Sequence, residues 1–157
     1  MIRFIAALDS KKGIANQHGI PWQGMIPSDV AYFRSKTLNS NIMMGYGWYQ
    51  EQLKPLPHRR NLVAFPGTEQ MRPGFEQVAD ARRFLKTFDQ DIWVGGGAIL
   101  FERTLDLADE LYLTRIEKDF ACTKFFPDFE NLFNLASKSQ PITENGVTFS
   151  FEVWKKN

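Results

Sequence analysis

Cysteine, histidine and net charge are all scarce in this chain, and each scarcity excludes something. Cys122 is the only cysteine, so no intramolecular disulfide can form and a thiolate-rich zinc site has no ligands. The two histidines, His18 and His58, stand far apart and lack metal-ligand spacing, so no metal is expected. Formal net charge is +1, and basic residues come in short scattered pairs such as Lys11-Lys12, Arg59-Arg60 and Arg82-Arg83. No field therefore draws in nucleic acid or an anionic membrane. No run approaches the ~18 apolar residues of a membrane span. Asp9 and Lys11-Lys12 follow the apolar start too soon for a signal peptide, which makes the cytoplasm the expected compartment. Ser-His-Asp, Cys-His and paired-carboxylate arrangements are also missing, which leaves hydrolytic chemistry little support.

What is present is ordinary in bulk and informative in order. The 157 residues, 43% hydrophobic and 24% charged, suffice for one domain with a sizeable core. Without an internal repeat or linker, the expectation is a single domain over 1–157. Ile2–Leu8 reads as a buried strand, and Asp9–Gly24 as a long polar loop of the kind that serves as a lid. Pro27 or Ser28 opens a helix running to about Leu38. Asn41–Met44 is a strand, and Gly45-Tyr46-Gly47 turns into a short helix over Trp48–Leu53. Strands are predicted at Asn61–Phe65, Phe75–Val78, Asp91–Val94 and Glu110–Ile116. Helices are predicted over Ala79–Phe88, with Ala81, Phe84, Leu85 and Phe88 on one face, and over Ala98–Leu105. Leu132–Ser137 and Val147–Trp154 read as two strands joined at Asn145-Gly146, with Phe149, Phe151 and Val153 on the buried face. Strand–helix alternation closed by a hairpin implies α/β: a mostly parallel sheet with an antiparallel edge.

Asp29 is the residue with the most to say. It lies in the first turn of the first predicted helix, four residues before Phe33, so acid and ring share one face. That pair could grip a flat, polar-edged heterocycle, although an acid in a first turn is also favoured by the helix dipole alone. Gly95-Gly96-Gly97 follows a strand and opens a helix, either as a tight turn or as a phosphate cradle; neither standard nucleotide motif is satisfied. Gly45 offers a second strand-to-helix turn, and two such turns suit a dinucleotide laid across a sheet. Arg59 is either an anion clamp or a solvated charge. Thr114, pointing inward from a strand, could bond a carboxylate. Cys122 reads as a small hydrophobe. One acid, aromatic rings and a phosphate cradle suit a cofactor that brings its own reactivity, such as hydride donation.

These residues, taken in order, resemble the dihydrofolate reductase family over essentially the whole chain. The matching segments are Ile5-Ala6-Ala7, Gly13-Ile14, Pro21-Trp22, Asp29 with Phe33 and Thr37, and Ile42-Met43-Met44-Gly45. They continue with Pro55-Leu56-Pro57, Arg59 and Asn61, Val94-Gly95-Gly96-Gly97, Leu111–Ile116, Phe126-Pro127-Asp128 and Phe151-Glu152. The resemblance implies a three-layer fold with a mostly parallel sheet of about eight strands, an antiparallel C-terminal hairpin and about four helices. It implies hydride transfer from NADPH to C6 of 7,8-dihydrofolate, in support of one-carbon metabolism, with a proton to N5.

By the same resemblance, Asp29 anchors the pterin, Thr114 orients Asp29, and Trp22 holds a water and packs the lid. Ile5, Ala6, Ala7, Val30, Phe33 and Leu56 would enclose the substrate with Val94, Leu100 and Thr114, and Arg59 would pair with its glutamate carboxylate. The cofactor would lie along Ala7, Ile14, Ile20, Gly45, Tyr46, Gly47, Trp48 and Phe65, then Gly95, Gly96, Gly97, Ala98 and Ile99. A cis peptide is expected at Gly95-Gly96. The partners implied are dihydrofolate and antifolates such as methotrexate or trimethoprim, with the protein acting as a monomer.

The chain departs from the family pattern at one end. Where the family places Arg and Thr after Gly45, it has Tyr46-Gly47-Trp48; where serines are common, it has Phe65-Pro66. Both changes remove donors and charge from the 2′-phosphate pocket, so NADH becomes an admissible donor. Tyr46 and Trp48 could instead stack on adenine. Ala98, Leu100 and Ala15 replace a frequent Arg, Tyr and Gly. Two other readings remain open: a same-fold reductase of another pterin or a riboflavin-pathway pyrimidine, and a non-catalytic nucleotide-binding relative.

Overall fold

A computed structural model describes all 157 residues. Eleven strands and four helices run in the order β1 (Ile2–Leu8), β2 (Gly13–Ala15), α1 (Pro27–Thr37), β3 (Asn41–Gly45), α2 (Tyr46–Glu51), β4 (Arg60–Ala64), β5 (Phe75–Val78) and α3 (Ala81–Thr87). Then come β6 (Ile92–Val94), α4 (Ala98–Thr104), β7 (Glu110–Ile116), β8 (Lys124–Phe125), β9 (Phe133–Lys138), β10 (Ile142–Glu144) and β11 (Val147–Lys156). Nine strands form one sheet in the order β10-β11-β7-β1-β6-β3-β4-β5, with β9 also paired to β11. The run from β7 to β5 is parallel, and β11 is antiparallel to its neighbours.

The central strands are apolar on both sides because both faces of the sheet are covered. Phe4, Leu8, Met43, Leu62, Val94, Leu111 and Leu113 pack against Leu85 of α3 and Leu100 and Phe101 of α4. On the other face Ile5, Ile42 and Trp93 meet Tyr32 and Phe33 of α1 and Trp48 of α2. Helices on both sides of a parallel sheet make the three layers expected. α3 starts on Asp80, whose carboxylate accepts from the Arg83 N–H, a normal N-cap. α1 starts at Pro27 with no side-chain cap of its own.

Three expectations need correction. The Asp9–Gly24 loop contains β2, which pairs with β8 in a separate two-stranded sheet; a three-residue strand leaves no periodicity to read. The turn at Asn145-Gly146 joins β11 to β10, not to β9, and β9 and β10 pair with successive parts of β11. Both turn residues have positive φ, +50° and +75°, as a two-residue hairpin requires. β11 is also not one-sided. Ser150 and Glu152 are buried while Phe151 and Val153 are only half-buried. β11 lies between β7 and the β9/β10 edge, and on its second face Glu152 accepts from Arg115 of β7 and from the Trp154 indole N–H.

Candidate active site

α1 presents Asp29 towards the C-terminal half of β7. The Thr114 hydroxyl donates to the Asp29 carboxylate at 2.6 Å. Thr114 is buried, and its sheet neighbours are Ala7 on β1 and Phe151 on β11, so no cation comes from either side. Burial pushes the Asp29 carboxyl above its ordinary value; the Thr114 hydrogen bond opposes this, and the charge of Glu144 adds to it. One turn on, Phe33 packs with Trp48, Leu56 and Tyr112 against the buried Ile5, Ile42 and Trp93. Val30, on the same helix, is 54% exposed beside Asp29. Asp29 and Phe33 thus stand one turn apart on α1, above the face of the sheet that carries Ile5 and Thr114.

Arg59 lies over the Phe33 ring, its guanidinium 6.0 Å from the centroid. It donates to the Thr37 hydroxyl at 2.8 Å and to the Pro57 carbonyl at 2.7 Å. No carboxylate of the chain pairs with it, and burial with the nearby Arg34 charge lowers its pKa. A guanidinium held by neutral partners is poised for an external anion. Asn61 fixes the loop that carries it. Its amide oxygen accepts from the Leu56 N–H, and its nitrogen donates to the Leu56 and Arg59 carbonyls. Sequence reasoning marked Asn61 as a match without seeing this task.

The start of the 9–24 segment is pinned by a residue that sequence reasoning missed. Asp9 is almost fully buried and accepts from the backbone N–H groups of Gly13 at 2.7 Å, Lys11 at 2.9 Å and Phe120 at 3.0 Å. Burial alone would raise its pKa, but these bonds outweigh it and leave the group below the ordinary range. Lys12 adds ion pairs to Asp128 and Glu130. Trp22 is buried against Ile26, Ile116, Cys122 and Phe149, while Ile20 is exposed. Cys122 is a packing residue, as expected, with its thiol pushed up to about 11 by burial.

β3 and β6 finish side by side. Gly45 N–H donates to the Gly96 carbonyl at 2.6 Å, and a Cβ on Gly45 would stand 3.1 Å from the Gly97 nitrogen. α2 and α4 start on Gly45 and Gly97 without side-chain caps, and Ala98 and Ile99 follow, Ile99 exposed. The cis peptide is at Gly96-Gly97, one bond later than expected. Gly95 still belongs to the ladder, its N–H donating to the Met43 carbonyl at 2.9 Å, so the chain departs from the strand only after it. Val94 and Leu100 lie in the main core, and Ile14 packs against it.

Tyr46 does not stand free to stack on a ligand ring. It stacks on Phe65, centroids 4.2 Å apart, and its hydroxyl donates to Glu69. Trp48 turns the other way, packing beside Phe33 and over Gly95, so it joins the α1 side of the sheet.

The family model for dihydrofolate reductase matches residues 1–156. The chain belongs to the dihydrofolate reductase family. It is 30% identical to the dihydrofolate reductase of Bacillus subtilis (strain 168) over 97% of this chain and 91% of that protein. It is 32% identical to that of Buchnera aphidicola subsp. Acyrthosiphon pisum, over 97% of both. Among solved structures, a dihydrofolate reductase from Enterococcus faecalis, complexed with NADP(H) and RAB-propyl, superposes with a TM-score of 0.90 at 23% identity, covering 100% of this chain and 96% of that one. As a member of the dihydrofolate reductase family, the chain keeps that fold across its full length.

Proposed function

We propose that this protein reduces 7,8-dihydrofolate to 5,6,7,8-tetrahydrofolate, taking hydride from a reduced nicotinamide dinucleotide, with Asp29 as the anchor of the pterin. The observation that carries the reading is the Thr114–Asp29 contact at 2.6 Å, on the helix whose next turn carries Phe33 with the Arg59 guanidinium over its ring. Asp29 accepts from the pterin's amino and N3 edge and raises the basicity at N5, where solvent delivers the proton. Thr114 holds the carboxylate in register. Phe33, Ile5, Leu56 and Val30 exclude water from the ring system, and Arg59 pairs with the glutamate α-carboxylate. The lid over 9–24 shields the reacting atoms.

The residues fit the reactive end of the cofactor. Where two parallel strands end together, Gly45 lies so close to the Gly96-Gly97 backbone that a Cβ there would stand 3.1 Å from the Gly97 nitrogen, while the space beside Gly97 is open. Ala7, Ile14, Ile20, Gly96 and Ala98 would hold the nicotinamide half, which supplies hydride when bound. The adenosine end fits a 2′-phosphate poorly: stacked rings and the Glu69 carboxylate occupy the Tyr46–Phe65 region. NADPH is the donor proposed, with NADH as a working second.

The reading implies a cytoplasmic monomer open to antifolates such as methotrexate. No helix is long and apolar enough to cross a membrane. A steady-state assay of dihydrofolate with each cofactor tests the proposal. Turnover is expected with both, at a kcat/KM ratio for NADPH over NADH below about one hundred, the selectivity of roughly two charge-assisted hydrogen bonds. A larger ratio overturns the weak selection, and no turnover with either overturns the function.

A further inference from the structure

The helix that carries Asp29 is capped from outside. α1 opens at Pro27 on Ile26, a residue with no side-chain acceptor. The Ser28 N–H instead donates to Glu144 Oε1 at 2.9 Å, and the Ser28 hydroxyl to Glu144 Oε2 at 2.5 Å. Glu144 is the last residue of β10, 116 positions further along the chain. The next residue, Asn145, donates from its side-chain amide to the Met25 carbonyl at 2.6 Å. The turn of the C-terminal hairpin thus grips Met25, just before α1, and the first turn of α1 together.

We propose that Glu144 is a positioning residue for Asp29, fixing the helix turn that presents it and placing a second negative charge beside it. The inference deepens the reductase reading, because it concerns the same acid. Ser28 immediately precedes Asp29, so the two-bond hold on Ser28 sets where the Asp29 backbone lies. A carboxylate is also the group an uncapped helix start favours.

The other groups around Asp29 leave Glu144 without a rival. β7 offers the neutral Thr114 hydroxyl, and the strands beside Thr114 offer Ala7 and Phe151. α1 itself offers the Tyr32 phenol, stacked on Phe151 and with a pKa of about 12. Arg115, next along β7, pairs with Glu152. A neighbouring like charge disfavours ionisation of Asp29, acting in the same direction as burial, which is the larger cause of its raised pKa.

The test is a carboxyl-carbon NMR titration of Asp29 in the ligand-free protein, for wild type, Glu144→Gln and Ser28→Ala. Glu144→Gln keeps the shape and removes the charge; Ser28→Ala removes one bond and keeps the charge. The expected result is a lower Asp29 midpoint in Glu144→Gln and an unmoved midpoint in Ser28→Ala. The inflection in kcat against pH for dihydrofolate should shift downward with it, with KM changed less than the rate. An unchanged midpoint in Glu144→Gln, or equal shifts in both variants, overturns the proposal. The titration needs no turnover, so it stands apart from the fate of the reductase reading.

Discussion

Asp29 works against the stability of the fold that holds it. Its carboxyl is raised by burial and by Glu144, against the opposing Thr114 hydrogen bond. A folded-state pKa above the unfolded one means that the folded protein binds more protons in the interval between them. Stability is then greatest below the unfolded value and falls as pH rises through the folded one. Asp29→Asn keeps an acceptor for Thr114 and removes the charge. Its melting temperature is expected to exceed that of wild type at neutral pH, with the gap closing below the ordinary carboxylate range. Thermal unfolding at several pH values checks this, and a variant that melts lower than wild type at neutral pH would contradict it. Such a gain on neutralising a functional acid is the usual trade between stability and activity.

Asp9 has the opposite sign and acts on an element. Its depressed pKa belongs to a carboxylate bonded by N–H groups of the lid base and of the Phe120 segment. Its stabilisation is present above the unfolded pKa and is lost as pH falls through the folded one. Asp9→Asn puts an amide donor among N–H donors and should cost about 1–3 kcal/mol at neutral pH, with a smaller difference in acid. Denaturant titration measures it; an unchanged midpoint would mean that the lid base is held elsewhere.

The elements also show what a sequence hides. β1, β5 and β7 were legible to the residue because apolar runs and turn residues mark their ends. β2 and β10 were not: Gly-Ile-Ala and Ile-Thr-Glu lack the run of large apolar residues that marks the equally short β6, Ile-Trp-Val. Asp9 could not be assigned because its partners are main-chain groups, which leave no trace in residue type. Glu144 could not because its contact with Ser28 spans 116 positions.

At the scale of the molecule, the sheet brings together what the chain keeps apart. Asp29 and Thr114, 85 positions distant, meet because α1 packs on the face of the sheet that β7 shares with β1. Helix periodicity put Asp29 and Phe33 on one face and strand alternation turned the Thr114 hydroxyl inward; that Thr114 would meet Asp29 was implied by the family resemblance, because neither periodicity relates a helix to a strand 85 positions away. The cofactor end was foretold only as a loss of expected groups. That Tyr46 would stack on Phe65 and bond Glu69 while Trp48 turned to Phe33 depends on packing among rings that sequence order does not determine.

The most direct test of Asp29 as the pterin anchor is the single-turnover rate of dihydrofolate reduction in wild type and Asp29→Asn across pH. A positioned acid–base group contributes roughly 10²–10⁴-fold. The variant should lose that order of rate at neutral pH and recover as acid protonates the substrate directly. A variant within about threefold of wild type at neutral pH, a difference under roughly 1 kcal/mol, would contradict the account.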